Sequence, residues 1–256
     1  NYVSGSDTPF NELYHNLGDR QFEEVTFELG MGQPLQQSFQ GHWVDFNQDG
    51  LLGLHLIRDR LCFDNYYYEQ QPDGTFLNTA HDRGLDLWVN AMCTSAADFD
   101  RDNDQDLYVS AGMFEGNFLM ENEGGYFDPH APEAGDSVDV HLTSWAATWL
   151  DADNNGWEDL HVATGFSVYT NYPMILSQYP DVPDQFFWND DAVFDEDDSG
   201  FFDANVLSFS SAASDYNLDG FPDLFSNAVG EYLQVLEAQP NANRWLKVHL
   251  EGTESN

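Results

Sequence analysis

The chain has 256 residues, 41% hydrophobic and 15% aromatic, with 46 Asp plus Glu against 7 Lys plus Arg and a formal charge of −39. That apolar fraction sustains a buried core, so the sequence reads as globular and not as an acidic disordered tail. The charge excludes nucleic acid, whose phosphates need a basic footprint, and it suits salty surroundings that screen self-repulsion.

Taken in chain order, the sequence repeats itself. Residues 1–30 carry a strand-like ELYHN and a second stretch around Phe22, the later strands of a partial unit. Four fuller units follow, at about 31–80, 81–130, 131–204 and 205–251. Each is marked by an acidic loop of the form Asp-x-Asp/Asn-x-Asp/Asn, beginning at Asp45 (DFNQDGLLGL), Asp98 (DFDRDNDQDL), Asp151 (DADNNGWEDL) and Asp215 (DYNLDGFPDL). The loop starts lie 53, 53 and 64 residues apart, the signature of one structural unit copied along a chain.

Within the last three units a small-residue strand leads into the loop (MCTSAADF, SWAATWLD, SFSSAASD), and an apolar strand beginning Asp-Leu leaves it. An aromatic third strand ends near Asn (NFLMEN, QFFWND), and a fourth is expected around Phe76, Phe127 or Phe202. Four short strands per unit of about 50 residues, with turn signals between them, predict an all-β chain built as a β-propeller of four-stranded blades. Ala96, Ala97, Ala146, Ala147, Ala212 and Ala213 suit innermost strands crowded near an axis, and the aromatic residues fill the widening wedge between blades.

The loops carry the chemistry of a hard divalent cation. Calcium takes six to eight oxygens at about 2.3–2.6 Å, which a short loop supplies when alternate side chains turn inward. Oxygens at loop positions 1, 3, 5 and 9 with a carbonyl at 7 meet that need. In the second loop these are Asp98, Asp100, Asp102, Asp106 and the Asp104 carbonyl; in the third Asp151, Asp153, Asn155, Asp159 and the Trp157 carbonyl. The fourth offers Asp215, Asn217, Asp219, Asp223 and the Phe221 carbonyl. Position 6 must turn with positive φ, which Gly50, Gly156 and Gly220 permit and Asn103 tolerates. The first loop has Asp45, Asn47 and Asp49 but Gly53 at position 9, and so forms a weak or empty site. An EF-hand opens the same way but closes on Glu at position 12 and leads into a helix. Here position 12 is Leu56, Val109, Val162 or Ser226, inside strand-like alternation.

The acidic loops and the strand after them resemble the FG-GAP or VCBS-like repeats of integrin α-subunit heads and of many secreted bacterial proteins. The tail NRWLKVHLEGTESN at 243–256 resembles the start of the ASPIC/UnbV module of cartilage acidic protein and its bacterial relatives. The resemblance implies a seven-bladed propeller, of which about five blades are present here, so that 256 residues are expected to be a segment of a larger protein or to be completed by other chains. It implies an extracellular, cell-surface or periplasmic calcium-binding module for adhesion, with calcium as a structural staple and a protein or glycan bound on the face opposite the calcium loops. The alternatives are a structural subunit of a larger extracellular assembly, or a non-catalytic part of a carbohydrate-active enzyme such as a polysaccharide lyase.

The remaining features fit a non-enzymatic reading. There is no HExxH, GxSxG or phosphate-binding loop, and the eight histidines are scattered singly. No apolar run approaches the ~18 residues that span a bilayer. Asn1 opens with neither an initiator Met nor a signal segment, as expected of a processed or internal start. Cys62 and Cys93 are either one disulfide between neighbouring units or two small buried residues. No Asn-x-Ser/Thr sequon occurs, against a heavily glycosylated ectodomain. The long third unit inserts residues 166–184, where Tyr169, Tyr172, Met174, Ile175, Leu176 and Tyr179 among prolines either bind a partner or cover a neighbouring blade. The acidic run from Asp190 to Asp198 reads as a solvated hairpin tip.

Overall fold

The computed structural model describes residues 11–32, 38–59, 64–112, 115–128, 138, 143–165, 183–200, 202, 208–228 and 232–248. These residues form an all-β molecule of five small antiparallel sheets, with one short helix, α1 (Ala80–Arg83). In chain order the sheets are β1–β2 (Tyr14–Gly18, Gln21–Glu24), β3–β6 (Ser38–Val44, Gly53–Arg58, Tyr66–Gln70, Phe76–Asn78) and β7–β9 (Ala91–Ala97, Asp106–Ala111, Phe118–Met120). Then come β10–β13 (Ser144–Leu150, Asp159–Thr164, Gln185–Asp190, Val193–Glu196) and β14–β16 (Ser208–Ser214, Asp223–Ala228, Gln234–Leu236). Within each sheet every strand pairs antiparallel with its neighbour in sequence.

The register is copied from sheet to sheet. First strands span seven residues and second strands six, joined by the acidic loop. Each first strand is bulged near its start, at Phe39, Met92, Trp145 and Phe209. A bulge bends the strand and re-aims a side chain. All four re-aimed residues are large and apolar, and three of them meet: Trp145 lies 4.8 Å from Phe209 and 6.4 Å from Phe39 between ring centroids. Phe39 and Trp145 belong to sheets separated by the β7–β9 sheet, so these side chains converge on a shared centre.

First strands lie side by side in the order β3, β7, β10, β14. Gln40 of β3 exchanges two hydrogen bonds with the Thr94 backbone of β7, each 3.1 Å, and Thr148 of β10 shares a hydroxyl bond of 2.7 Å with Ser211 of β14. Small and hydroxylated residues are what let these strands approach so closely. Farther out, aromatic residues fill the gaps between sheets. Phe46 packs on Tyr67 and Phe127, with centroids 5.3 and 4.8 Å away, and Phe99 packs on Phe194 at 5.7 Å.

The phenylalanine that fills each gap has a fixed address. It sits opposite a residue at or near the end of the third strand, in the pairs Gln70–Phe76, Asn122–Phe127 and Asn189–Phe194, and the exposed Phe22 holds the matching place opposite Asn16. The fourth strand of the third unit is therefore centred on Phe194, and not on Phe202 as the aromatic pattern suggested. Phe202 instead stacks on Phe186 at 4.9 Å. The reason lies in the tip at Asp191 and Ala192, both at positive φ, which turns the chain back at once and brings Phe194 rather than Phe202 opposite Asn189. Of the acidic run from Asp190 to Asp198 only Asp191 and Ala192 form the hairpin tip, because Val193–Glu196 pairs as β13 with Phe194 buried. Gly84 is another position where backbone geometry decides: it caps α1 at φ +75° against the Phe127 carbonyl, leaving no space for a Cβ.

Two buried asparagines join sheets through backbone acceptors. Asn122 Nδ2 donates to the Phe46 and Gln105 carbonyls at 2.9 and 3.0 Å. Asn189 Nδ2 donates to those of Phe99 and Glu158 at 2.9 and 3.1 Å. Truncation leaves buried carbonyls without a donor. Asn122→Ala and Asn189→Ala are each expected to lower the unfolding free energy by about 1–3 kcal/mol, read from urea midpoints; an unchanged midpoint in both would remove these side chains from the inter-sheet framework.

Candidate metal centres

The four acidic loops share one backbone trace. In each, an oxygen of the position 1 carboxylate accepts the position 6 N–H: Gly50 to Asp45, Asn103 to Asp98, Gly156 to Asp151 and Gly220 to Asp215, at 2.9 to 3.1 Å. The position 5 side chain accepts the N–H of position 7, as Leu51 to Asp49, Asp104 to Asp102, Trp157 to Asn155 and Phe221 to Asp219. Position 6 lies at positive φ in all four, from +75° to +91°. So does position 4, occupied by Gln48, Arg101, Asn154 and Leu218 at +54° to +64°. Sequence reasoning missed this second turn because four unrelated side chains occupy it, three of them neither Asn nor Gly.

Position 4 has a common use. Gln48 Nε2 donates to the Asn103 carbonyl of the next loop at 2.8 Å, and Asn154 Nδ2 to the Gly220 carbonyl at 3.0 Å. Between them Arg101 stacks on Trp157, 4.9 Å from guanidinium to ring centre. The loops therefore form a linked row along one side of the sheets.

Position 9 is the keystone of each complete loop. Asp106, Asp159 and Asp223 are fully buried as the first residue of a second strand. One oxygen accepts the N–H of loop position 2 (Phe99, Ala152, Tyr216). The other accepts an N–H at or just beyond the end of the third strand (Asn122, Asn189, Ala238). Burial pushes Asp106 up to about 8 and Asp159 up to about 7, although these N–H donors pull the other way. Burial and then the Asp102 charge push Asp104 up to about 6.

Oxygens of Asp98, Asp100 and Asp102 all lie within 4.8 Å of one another, as do those of Asp151, Asp153 and Asp159. Asp98 Oδ1 and Asp104 Oδ1 are buried with no hydrogen-bond partner. The donor set is all oxygen, anionic and convergent, which fits a hard divalent ion such as calcium or magnesium. Among the described residues Asp215, Asp219 and Asp223 are not gathered as tightly, and Asn217 donates to Asp219 at 3.1 Å.

The first loop replaces both missing elements. A Cβ on Gly53 would collide with the Tyr67 ring, 2.5 Å from its hydroxyl oxygen. That oxygen takes the Phe46 N–H, the position 2 donor that aspartate accepts elsewhere. Asn47 is tied at 3.0 Å to Glu69, which also receives three hydrogen bonds of 2.9 to 3.1 Å from Arg83. The exchange of Asp for Gly at position 9 is legible in sequence; its tyrosine substitute, 14 residues downstream of Gly53, is not.

Outside the loops, His161, Asp184 and Ser226 form a buried polar cluster. His161 Nε2 lies 3.4 Å from Asp184 Oδ2, and Ser226 Oγ donates to that same oxygen at 3.0 Å. The hydroxyl thus bonds to the carboxylate and not to the imidazole, unlike the nucleophile–base pair of a catalytic triad. His55 occupies the equivalent place in β4, bonds Thr94 at 2.8 Å, and is pushed down to about 3 by burial. Cys93 is a buried free thiol, pushed up to about 11. Cys62 lies outside the described residues, as do Tyr169, Tyr172, Met174, Ile175, Leu176 and Tyr179.

No family model and no curated protein sequence matches the chain. Among solved structures it is similar to the crystal structure of the V. cholerae biofilm matrix protein Bap1, with 15% identity and a TM-score of 0.42. The match covers 75% of this chain and 28% of that one.

Ion-free loops should make stability fall with alkalinity. Unfolded, Asp106 releases its proton near 3.8; folded, it holds it to about 8. In that window the folded state binds more protons, so stability is full below about pH 4 and declines as pH rises toward 8, by on the order of a few kcal/mol. Urea midpoints in chelator across pH 4 to 8 should show this slope, and Asp106→Asn should flatten it; a parent midpoint that rises across the window would contradict the assignment.

Proposed function

We propose that the chain is a calcium-stapled β-propeller segment of the FG-GAP/VCBS-like type, acting as a binding or adhesion module outside the cell, at its surface or in the periplasm. The observation that carries the reading is the convergence of carboxylates in loops of one repeated geometry, with two oxygens of the second loop buried and unpartnered. Like charges held within 4.8 Å repel unless protonated or bridged, and a divalent cation is the bridge that also satisfies the orphan oxygens. In this reading Asp98, Asp100, Asp102 and Asp106 hold one ion, Asp151, Asp153, Asn155 and Asp159 a second, and Asp215, Asn217, Asp219 and Asp223 a third. Carbonyls at Asp104, Trp157 and Phe221 complete them, and the loop from Asp45 to Gly53 stays weak or empty.

The propeller form is supported by adjacent first strands and by the bulged aromatic residues meeting at one centre. Calcium stiffens the rim of loops, and the opposite face, with the insertion around Tyr169 to Tyr179, meets a protein or glycan. The tail from Asn243 enters as the opening of an ASPIC/UnbV-like module; its Arg244 to Val248 portion is exposed. A second reading, a subunit whose end sheets join other chains, draws support from β1–β2, all nine residues of which are exposed, including Tyr14, Leu17 and Phe22.

Three ions per chain are expected by calorimetric titration of chelated protein, one fewer for Asp98→Asn. Each site held at a hundredfold excess over its Kd adds about 2.7 kcal/mol, so the thermal midpoint should drop sharply in chelator. Equal midpoints with calcium and with chelator would reduce the loops to simple turns and remove the calcium reading with them.

A further inference from the structure

One gap between sheets lacks its filler. Between β3–β6 and β7–β9 the Phe127 ring packs on Phe46, and between β7–β9 and β10–β13 the Phe194 ring packs on Phe99. In both, the ring comes from chain lying beside the third strand, opposite Asn122 or Asn189. Between β10–β13 and β14–β16 the same place is a cavity of about 600 Å³, walled by Leu150, Ala152, Phe186, Trp188, Phe202 and Leu236. Two changes open it. Loop position 2 is Ala152 where Phe46 and Phe99 stand elsewhere, and among the described residues β16 has no strand on its outer side. Ala238 stands where Asn122 and Asn189 do, its N–H on Asp223 just as theirs are on Asp106 and Asp159.

We propose that this gap is a docking site for an extended peptide strand that pairs with the free edge of β16 and inserts one aromatic side chain opposite Ala238. The chain's own repeats specify that occupant. Phe22, Phe76, Phe127 and Phe194 each sit at this register in their own sheets, so an added strand that continues the pattern places an aromatic ring in the cavity. Strand addition supplies main-chain hydrogen bonds to an edge and lets alternate side chains enter pockets. The rim adds a charge preference. Asp153, Asp197 and Glu237 border the cavity on a chain of charge −39, so the inserted aromatic should be flanked by lysine or arginine. The site lies beside the third loop but uses none of its convergent oxygens except through Asp153, and it stands whether or not that loop binds an ion.

The test uses the whole chain and a short labelled peptide patterned on Val193–Phe194, with lysine replacing the flanking acids, followed by fluorescence anisotropy. Saturable binding is expected, at least about tenfold tighter than for the same peptide with Ala in place of Phe, and weakened by salt. Ala152→Phe restores the ring on which Phe127 and Phe194 pack in the other two gaps, so this variant should fold and bind the Phe peptide at least as tightly as the parent does. Val235→Pro, which disturbs the β16 edge without touching Ala152, should lose the peptide. The proposal is overturned if both peptides bind equally, if none binds up to about millimolar concentration, or if Val235→Pro, still folded, binds as the parent does. It is also overturned, in favour of a second copy as occupant, if sedimentation shows a dimer that Val235→Pro abolishes while the peptide fails to bind.

Discussion

The buried aspartate at loop position 9 is the interaction on which the remaining architecture hangs. A carboxylate with no exposed surface is costly, and in Asp106, Asp159 and Asp223 both oxygens are spent on backbone N–H groups from two different segments. One bond closes the acidic loop on itself; the other fixes where the third strand ends. That second bond determines where Asn122 and Asn189 lie, and their amides reach the carbonyls of Phe46 and Phe99, respectively, in the preceding loop. A single side chain thereby sets the loop, the strand register and the spacing to the neighbouring sheet.

The first repeat shows what the constraint requires and what it leaves free. With Gly53 at position 9 the Phe46 N–H still needs an acceptor, and the Tyr67 hydroxyl supplies one from the neighbouring strand. Burial holds that phenol neutral, pushing it up to about 12, so the acceptor role passes from a carboxyl group to a phenol. Nearby, Glu69 and Arg83 bring their own opposite charges together at 2.9 Å and engage Asn47. The local shape is retained by hydrogen bonds and an ion pair where the other loops concentrate negative charge.

The repeat length, the loop turns at position 6 and the small-residue first strands were legible because each rests on local chemistry: acidic spacing, positive φ and steric crowding. What escaped the sequence is long-range. Phe202 carries the same local signals as Phe194, and only the pairing with Asn189 separates them. The bulges at Phe39, Met92, Trp145 and Phe209 leave no mark of their own, since a large apolar residue near a strand's start is unremarkable until four of them are superposed. Tyr67 is likewise an ordinary strand aromatic until its hydroxyl is seen against Gly53. The individual carboxylates could be listed from sequence, yet their unequal gathering, tight at Asp98 to Asp102 and looser at Asp215 to Asp223, depends on side-chain rotamers that the pattern does not encode.

Four of the bonds between successive units share one form. Gln48, Asn154, Asn122 and Asn189 all donate across a boundary, and the partner is a main-chain carbonyl each time: Asn103, Gly220, Phe46 and Phe99. A carbonyl is present whatever residue carries it. For these four bonds a unit copied by tandem duplication would find its acceptor already in place, with no matched mutation needed on the other side. Unit number can change in such a lineage faster than unit sequence, and the residues that face a new neighbour can diverge afterwards.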